Sequence, residues 1–383
     1  MALERLARLQ AFQAGRDTMA IRRITLSEIV FGQPLPWDVF GNPTAAQPLL
    51  QKGNVVVPGQ LDGWLDTGLY AEAGAPASVL QNLNQINRRL ERTLMELRNE
   101  DSADTALRTL AGELIDTTLR SPDIVLAAIL LNQIAGTYAA RHCTEAAIVV
   151  CLIASAMGKT RDEVLVAMAA ALTMNVGMVR QAELFHGREG ALSSEERAIV
   201  RRHPSDSVNM LRWAGIGDDK WLDLVLLHHE NDDGTGYPEG LLGNEISQNA
   251  KLISLADRYC AFVSARNYRR SLLPPVALAK LATEQETPVD PALIAHFSEQ
   301  IGAYPPGTLV RLQNGELGVV SSRKNAEAAL RLHVLRAPDG STFGPAEIRF
   351  TNQPGCAIEE ALHEDQARLR FTMQHIWGEL ASL

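Results

Sequence analysis

The sequence is poor in cysteine, in aromatic residues and in long uncharged stretches. It contains four cysteines in 383 residues, and aromatic residues make up 5%. The cysteines show no CxxC pairing, which predicts buried reduced thiols rather than a disulfide framework. The longest nearly uncharged apolar run, Ala146 to Gly158, has 13 residues, whereas a bilayer span needs about 20. We therefore expect no transmembrane helix.

Basic charge is also in deficit. The chain carries 36 Lys and Arg against 45 Asp and Glu, a formal net charge of −9 at pH 7. A dedicated nucleic-acid binder needs a strong basic field, so this balance argues against one. Residues 1–20 are dotted with Arg and Glu and contain no apolar core of a signal peptide. We expect no secretory signal and a cytoplasmic protein.

Turn signals and hydrophobic periodicity divide the chain into four regions. Short apolar runs between turns predict a small N-terminal β/turn region over 1–75. Helical periodicity predicts connecting helices over 79–120 and a helical domain over 121–303, which we expect to hold the function. Short strands around Asn-Gly and Asp-Gly hairpins, then a last helix from Ile358 to Leu383, are expected over 304–383. The expected fold class is mainly α, with a small β region on each side.

The boundaries of several helices can also be predicted. Periodicity favours helices over 122–140, 143–157, 161–173, 193–203, 205–213 and 219–229. The run Ser193–Glu196 suits a helix start, because it supplies capping hydroxyls and acids near the positive end of the helix dipole. Pro204, directly after His203, predicts a break between two helices.

The densest polar cluster in the helical region follows Leu227. It consists of His228, His229 and Glu230, and a glycine-rich acidic turn, Asp233–Pro238, comes directly afterwards. Neutral imidazole and carboxylate suit a hydrolytic site built on a divalent metal. The alternative is a polar helix terminus followed by an ordinary loop.

This cluster resembles the signature of HD-GYP domains, bacterial metal-dependent phosphodiesterases of the HD superfamily that hydrolyse cyclic di-GMP. Similar motifs precede it at Arg202-His203-Pro204 and follow it at Ala256-Asp257. The resemblance covers about residues 125–300. It implies an HD-superfamily helical bundle between the two small β-containing regions.

The resemblance also implies roles for individual residues. The implied metal ligands are His142, His203, His228, His229 and Asp257. Arg266 and Arg269 fall where basic side chains meet the phosphates of the dinucleotide, and Tyr237 falls at a substrate contact. Asp233, Gly234, Thr235, Gly236, Tyr237 and Pro238 form the GYP loop, which the family links to activity and to contacts with diguanylate cyclase domains.

One element departs from the family pattern. Gly177 is retained and sets the register, but Met174 and Asn175 replace the His-Asp pair, and Met178 replaces a lysine. The family aspartate bridges two metals that lie within about 4 Å of each other. A neutral amide has no negative charge with which to form such a bridge. A thioether is too soft to replace imidazole on iron or manganese. We expect a degenerate site with one divalent metal, such as Fe or Mn, or none.

Three functions stay open at this point. The first is a cyclic di-GMP signalling protein that binds the nucleotide, a diguanylate cyclase or another signalling partner with little or no hydrolysis. The second is a weakly active cyclic di-GMP phosphodiesterase, and the third is an interaction scaffold. Leu90, Leu94 and Leu97 share one helix face, which suits either a homodimer seam or the internal core.

Overall fold

The computed structural model describes residues 21–24, 35–57 (except 36, 43 and 46), 69–72, 78–97, 102–186, 190–264, 270–283, 290–323 and 328–383. The chain divides into two compact units. One comprises Met1–Ser78 with Trp377–Leu383, and the other comprises Val79–Ile376.

The first unit contains a three-stranded antiparallel sheet. Its strands are β1 Ile21–Ile24, β2 Val39–Phe40 and β3 Leu69–Glu72, in the order β1-β3-β2. A small core packs with this sheet and consists of Ile24, Leu35, Trp37, Val39, Val56, Leu69 and Ala71. The short strands expected near the N-terminus are confirmed.

The second unit is mostly helical. Its first helices are α1 Val79–Met95, α2 Ala103–Arg120, α3 Pro122–Leu130, α4 Tyr138–Ala156, α5 Arg161–Thr173 and α6 Val179–His186. They are followed by α7 Ser194–Trp213, α8 Asp219–Leu227, α9 Gln248–Val263, α10 Pro274–Thr283 and α11 Pro291–Gln300. The mainly α fold class is confirmed. Leu90, Leu94 and Leu97 are buried within this unit, as expected of an internal core.

Two predicted helix boundaries are wrong. The helix expected over 122–140 is split between α3 and α4, because the chain turns at Gly136, whose φ of +127° suits only glycine. The break expected at Pro204 is absent, and α7 runs through that proline. The helix start is confirmed, because the Ser193 hydroxyl accepts the Glu196 N–H and the Glu196 carboxylate accepts the Ser193 N–H.

A five-stranded antiparallel sheet completes the second unit. Its strands are β4 Leu309–Leu312, β5 Leu317–Ser322, β6 Arg331–Arg336, β7 Thr342–Phe350 and β8 Ile358–Leu362, in the order β7-β6-β5-β4-β8. Gly315 and Gly340 turn with φ of +86° and +89°, so both predicted hairpins are confirmed.

The helix expected from Ile358 to Leu383 is wrong. Residues 358–362 pair with β4 as a strand, which satisfies the backbone groups along that edge. Only short helices follow, α12 Glu364–Ala367 and α13 Met373–Trp377, and Arg368 in the left-handed region ends the first of them.

Two stretches are long and apolar enough to cross a bilayer by length and composition. They are Tyr138–Ala156 and Arg161–Phe185, with 83% and 67% of their apolar windows buried inside the protein. Such burial is typical of core helices in a helical domain. Both stretches form part of the scaffold of the site described next.

Candidate metal centre

His203 is oriented by the proline that follows it. Pro204 has no N–H to donate to the carbonyl of Val200, one turn earlier in α7. That carbonyl instead accepts a hydrogen bond from Nδ1 of His203 at 2.6 Å. The proline therefore leaves the helix intact and frees an acceptor that holds the imidazole. With the proton on Nδ1, Nε2 presents a lone pair.

His228 is held in the same way at the end of α8. Its Nδ1 donates to the carbonyl of Val225 at 2.7 Å, so its Nε2 also carries a lone pair. The two Nε2 atoms lie 3.2 Å apart. Neither can donate to the other while both Nδ1 protons are engaged with carbonyls. Two lone pairs at this distance are stabilised by a cation between them.

His229 completes a three-histidine cluster. One ligand atom from each of His203, His228 and His229 lies within 4.8 Å of the others. Burial, and after it the neighbouring His228, lower the pKa of His203 to about 3. Burial also lowers the pKa values of His228 and His229. The cluster is therefore neutral at pH 7, and neutral imidazole is the form that binds metals.

His142 and Asp257 form a separate buried pair. Nε2 of His142, on α4, donates to Oδ1 of Asp257, on α9, at 2.8 Å. Burial favours the protonated carboxyl, but the hydrogen bond from His142 and the nearby imidazoles hold the pKa of Asp257 below its ordinary value. Asp257 acts electrostatically on all three clustered histidines. The pair and the cluster thus belong to one site.

Met174 and Asn175 lie where α5 ends. Met174 is fully buried. The amide nitrogen of Asn175 lies 3.9 Å from the sulfur of Cys143. Its buried Oδ1 has no hydrogen-bond partner among the described residues, and the same holds for Nδ1 of His142. Burial raises the pKa of the Cys143 thiol to about 12, so this thiol is protonated and is a poor metal ligand.

Gly177 is retained because α7 leaves no room for a side chain. A Cβ at Gly177 would lie 2.6 Å from the backbone nitrogen of Ser207 and 2.8 Å from the carbonyl oxygen of His203. The Ser207 hydroxyl also donates to the Met174 carbonyl and accepts the Gly177 N–H, both at 2.9 Å. These contacts hold the segment from Met174 to Gly177 against the helix that carries His203. Met178, at the end of the same 3₁₀ turn, is half-buried.

Glu230 organises the loop instead of facing the metal cluster. Its carboxylate accepts hydrogen bonds from the backbone N–H groups of Glu239, Gly240 and Leu241, at 2.6, 3.1 and 3.0 Å. Both oxygens are engaged, so Glu230 is not free to bind a metal. Sequence reasoning grouped it with the neighbouring histidines, because its partners lie nine to eleven residues further along the chain.

The GYP loop folds over the histidine cluster. A Cβ at Gly236 would lie 2.4 Å from the nitrogen of Asn231, so only glycine permits this approach. The Tyr237 ring lies 4.8 Å from that of His229 and thereby covers one side of the cluster. Asp233 accepts hydrogen bonds from the backbone and hydroxyl of Thr235, which closes the turn. Arg266 and Arg269, predicted to contact phosphate, lie outside the described residues.

Known proteins resemble this chain over the same region. A family model for the HD domain matches residues 126–293. The chain is 31% identical over 226 residues to the cyclic di-GMP phosphodiesterase PA4108 of Pseudomonas aeruginosa, which covers 59% of this chain and 54% of that protein. Residues 126–293 therefore match the HD domain family.

Two further proteins resemble this chain. The cyclic di-GMP phosphodiesterase response regulator RpfG of Xanthomonas campestris pv. campestris is 30% identical over 148 residues, or 37% of this chain and 38% of that protein. The structure of Bd1817, a HDG"Y"P protein from Bdellovibrio bacteriovorus, aligns with a TM-score of 0.48 at 14% identity, covering 73% and 98% of the two chains. The chain spans about half or less of the length of these curated relatives.

The residues of this site fit one divalent metal better than two. Three neutral imidazoles whose ligand atoms lie within 4.8 Å of one another are a suitable donor set for a first-row divalent ion. The other half of the site offers His142 and Asp257, which hydrogen-bond to each other, together with the neutral amide of Asn175. Tyr138, whose ring stacks on His142 with centroids 5.4 Å apart, adds no carboxylate.

Proposed function

We propose that this HD-GYP domain binds cyclic di-GMP beside a single divalent metal held by His203, His228 and His229, and hydrolyses the nucleotide little or not at all. The observation that carries the proposal is the contrast between the two halves of the site. Converging lone pairs support metal binding at the histidine cluster. The position of the family's bridging carboxylate holds Asn175, whose buried oxygen has no partner among the described residues.

The expected loss of catalysis follows from charge. A bound divalent ion supplies Lewis acidity toward a phosphoryl oxygen and lowers the pKa of coordinated water. In two-metal sites an anionic ligand shared by both ions offsets their mutual repulsion, and Asn175 contributes no such charge. Each tenfold loss of rate corresponds to about 1.4 kcal/mol of lost transition-state stabilisation. Removal of an anionic bridge is expected to cost several such factors.

The remaining residues of the site support binding. Tyr237 has a pKa raised by burial and stays a neutral phenol, so it does not repel an anionic phosphodiester. The relatives named above are called cyclic di-GMP phosphodiesterases, which makes this dinucleotide the first ligand to test. Contact of the GYP loop with a diguanylate cyclase stays a prediction.

Calorimetric titration combined with product chromatography tests this function. Protein purified without oxygen and supplied with Fe²⁺ or Mn²⁺ is titrated with cyclic di-GMP, and the mixture is then separated for linear dinucleotide and GMP. We expect a binding heat and no product within the assay time. Absence of a heat, or turnover at a rate of about 1 per second or more, the range of ordinary enzymes, would contradict the proposal.

A slow phosphodiesterase with one metal is the second candidate. The intact three-histidine cluster favours it, because one ion still provides Lewis acidity. Slow product formation that disappears in His228→Ala but persists in His296→Ala would support this candidate. His296 lies on α11 and is a matched control for loss of an imidazole outside the site.

A further inference from the structure

The guanidinium of Arg201 lies close to the histidine cluster, with the ring of Tyr237 between them. It lies two residues before His203 on α7 and is exposed. Its guanidinium lies over the ring of Tyr237, 5.3 Å from the centroid. The Tyr237 ring in turn lies 4.8 Å from the ring of His229. The three side chains therefore form a continuous stack from the surface of α7 to the metal cluster.

The charge of Arg201 is not used in an ion pair within the described part of the chain. Its neighbour Arg202 pairs with Asp206 at 2.9 Å, one turn further along the helix. Arg197, one turn earlier, donates to the carbonyl of Leu192. The corresponding contact of Arg201 is made with an aromatic ring, because its guanidinium carbon lies over the ring of Tyr237. A structural role for its charge is thus not apparent from the contacts of this helix.

The contact with Tyr237 leaves the N–H donors of the guanidinium available to an anion. A cation over an aromatic ring is attracted by the charge distribution of the ring, and this attraction occupies no acceptor atom. The planar set of N–H donors is suited to bidentate recognition of phosphate. The rotamer of the long side chain is also restricted before the ligand arrives, which lowers the entropy lost on binding.

We propose that Arg201 is a phosphate-binding residue of this site, with N–H donors of its guanidinium directed to a phosphodiester oxygen and its position held by Tyr237. The proposal rests on the proposed function only for the identity of the nucleotide. The three clustered histidines are neutral, so they contribute no charge to the binding of an anion. A second cation, Arg258, lies close enough to interact electrostatically with His229, so the cluster is flanked by positive charge from α7 and from α9.

Titration of four proteins tests this role. Wild type, Arg201→Ala, Arg201→Lys and Arg202→Ala are titrated with cyclic di-GMP and, separately, with inorganic phosphate, all in the presence of Mn²⁺. We expect Arg201→Ala to weaken both ligands about tenfold or more. Arg201→Lys should fall between wild type and Arg201→Ala, since it retains the charge but not the planar donors. Arg202→Ala, which removes the same charge from the next position, should bind as wild type does. Circular dichroism and the midpoint of thermal unfolding verify that each variant is folded.

The two ligands separate this inference from the proposed function. Nucleotide binding that is equal in wild type and Arg201→Ala would overturn the role of Arg201 and leave the proposed function standing. Phosphate binding that depends on Arg201, without binding of cyclic di-GMP, would support the residue's role and contradict the proposed nucleotide. Equal losses in Arg201→Ala and Arg202→Ala would show a general effect of charge and would also overturn the inference. Absence of binding of either ligand to wild type would contradict both.

Discussion

Substitution of Gly177 by alanine tests how closely the turn that contains it packs on α7, the helix that carries His203. A Cβ at this position would meet the backbone nitrogen of Ser207 at 2.6 Å, the carbonyl oxygen of His203 at 2.8 Å and Cβ of Asp206 at 2.9 Å. Two of these atoms belong to the backbone of α7 and cannot move away by rotation of a side chain. The helix or the 3₁₀ turn must therefore shift.

The expected cost can be bounded. Insertion of one methyl group into a well-packed region typically destabilises a protein by about 1–3 kcal/mol. Contacts with backbone atoms place Gly177→Ala at the upper end, about 3 kcal/mol. The same shift would displace His203, so we also expect a weaker affinity for Mn²⁺. Urea unfolding monitored by circular dichroism gives the free energy of unfolding, and metal titration of the folded variant gives the affinity.

Gly112→Ala provides a control in which the free energy of unfolding should change in the opposite direction. Gly112 lies inside α2, and a Cβ there would have no neighbour within 4 Å. Alanine in a helix interior is favoured over glycine by about 0.5–1 kcal/mol, so this variant should be slightly more stable than wild type. If Gly177→Ala unfolded at the same urea concentration as wild type, or bound Mn²⁺ equally well, the packing described here would be refuted.

Two further perturbations follow from the site. Glu230→Gln replaces a carboxylate that accepts hydrogen bonds from three backbone N–H groups with an amide that has one acceptor oxygen. The free energy of unfolding should therefore fall by about 1–3 kcal/mol. The control Glu239→Gln, at an exposed position, should change it by less than about 0.5 kcal/mol. Without metal, stability should fall as the pH is lowered from about 7 toward 4, because the pKa of His203 is about 3 in the folded protein and about 6.5 in the unfolded chain, so only the unfolded chain takes up the proton. Urea unfolding between pH 7.5 and 5, with a chelator present, should show a smaller slope for His203→Gln; an equal slope would refute this assignment.

Helical periodicity and turn chemistry predicted most of the fold. The two glycine hairpins of the C-terminal sheet and the capped start of α7 could be predicted, because each depends on neighbouring residues. The predicted break at Pro204 was wrong because the local rule takes no account of a side chain that donates a hydrogen bond to the carbonyl left without a partner by the proline. The terminal helix was wrong because residues 358–362 form a strand only by pairing with β4, fifty residues earlier in the chain.

The candidate site was predictable in composition but not in arrangement. The family resemblance indicated the five metal-binding candidates, and the structure brings their side chains into one electrostatic cluster. The division into a three-histidine group and a His142–Asp257 pair depends on how α4, α7, α8 and α9 pack, which spacing does not reveal. The same applies to the role of Glu230 in holding the loop and to the position of Arg201 over Tyr237. Both are visible only from tertiary contacts.

Metal stoichiometry tests the central claim most directly. Three proteins are dialysed against Mn²⁺ without oxygen: wild type, His228→Ala and the double variant Met174→His with Asn175→Asp. The metal bound per chain is then measured by elemental mass spectrometry. A single-metal site predicts one ion per chain in wild type, fewer in His228→Ala, and a second ion in the double variant that regains the His-Asp pair. Two ions per chain in wild type, or a count unaffected by His228→Ala, would contradict the account.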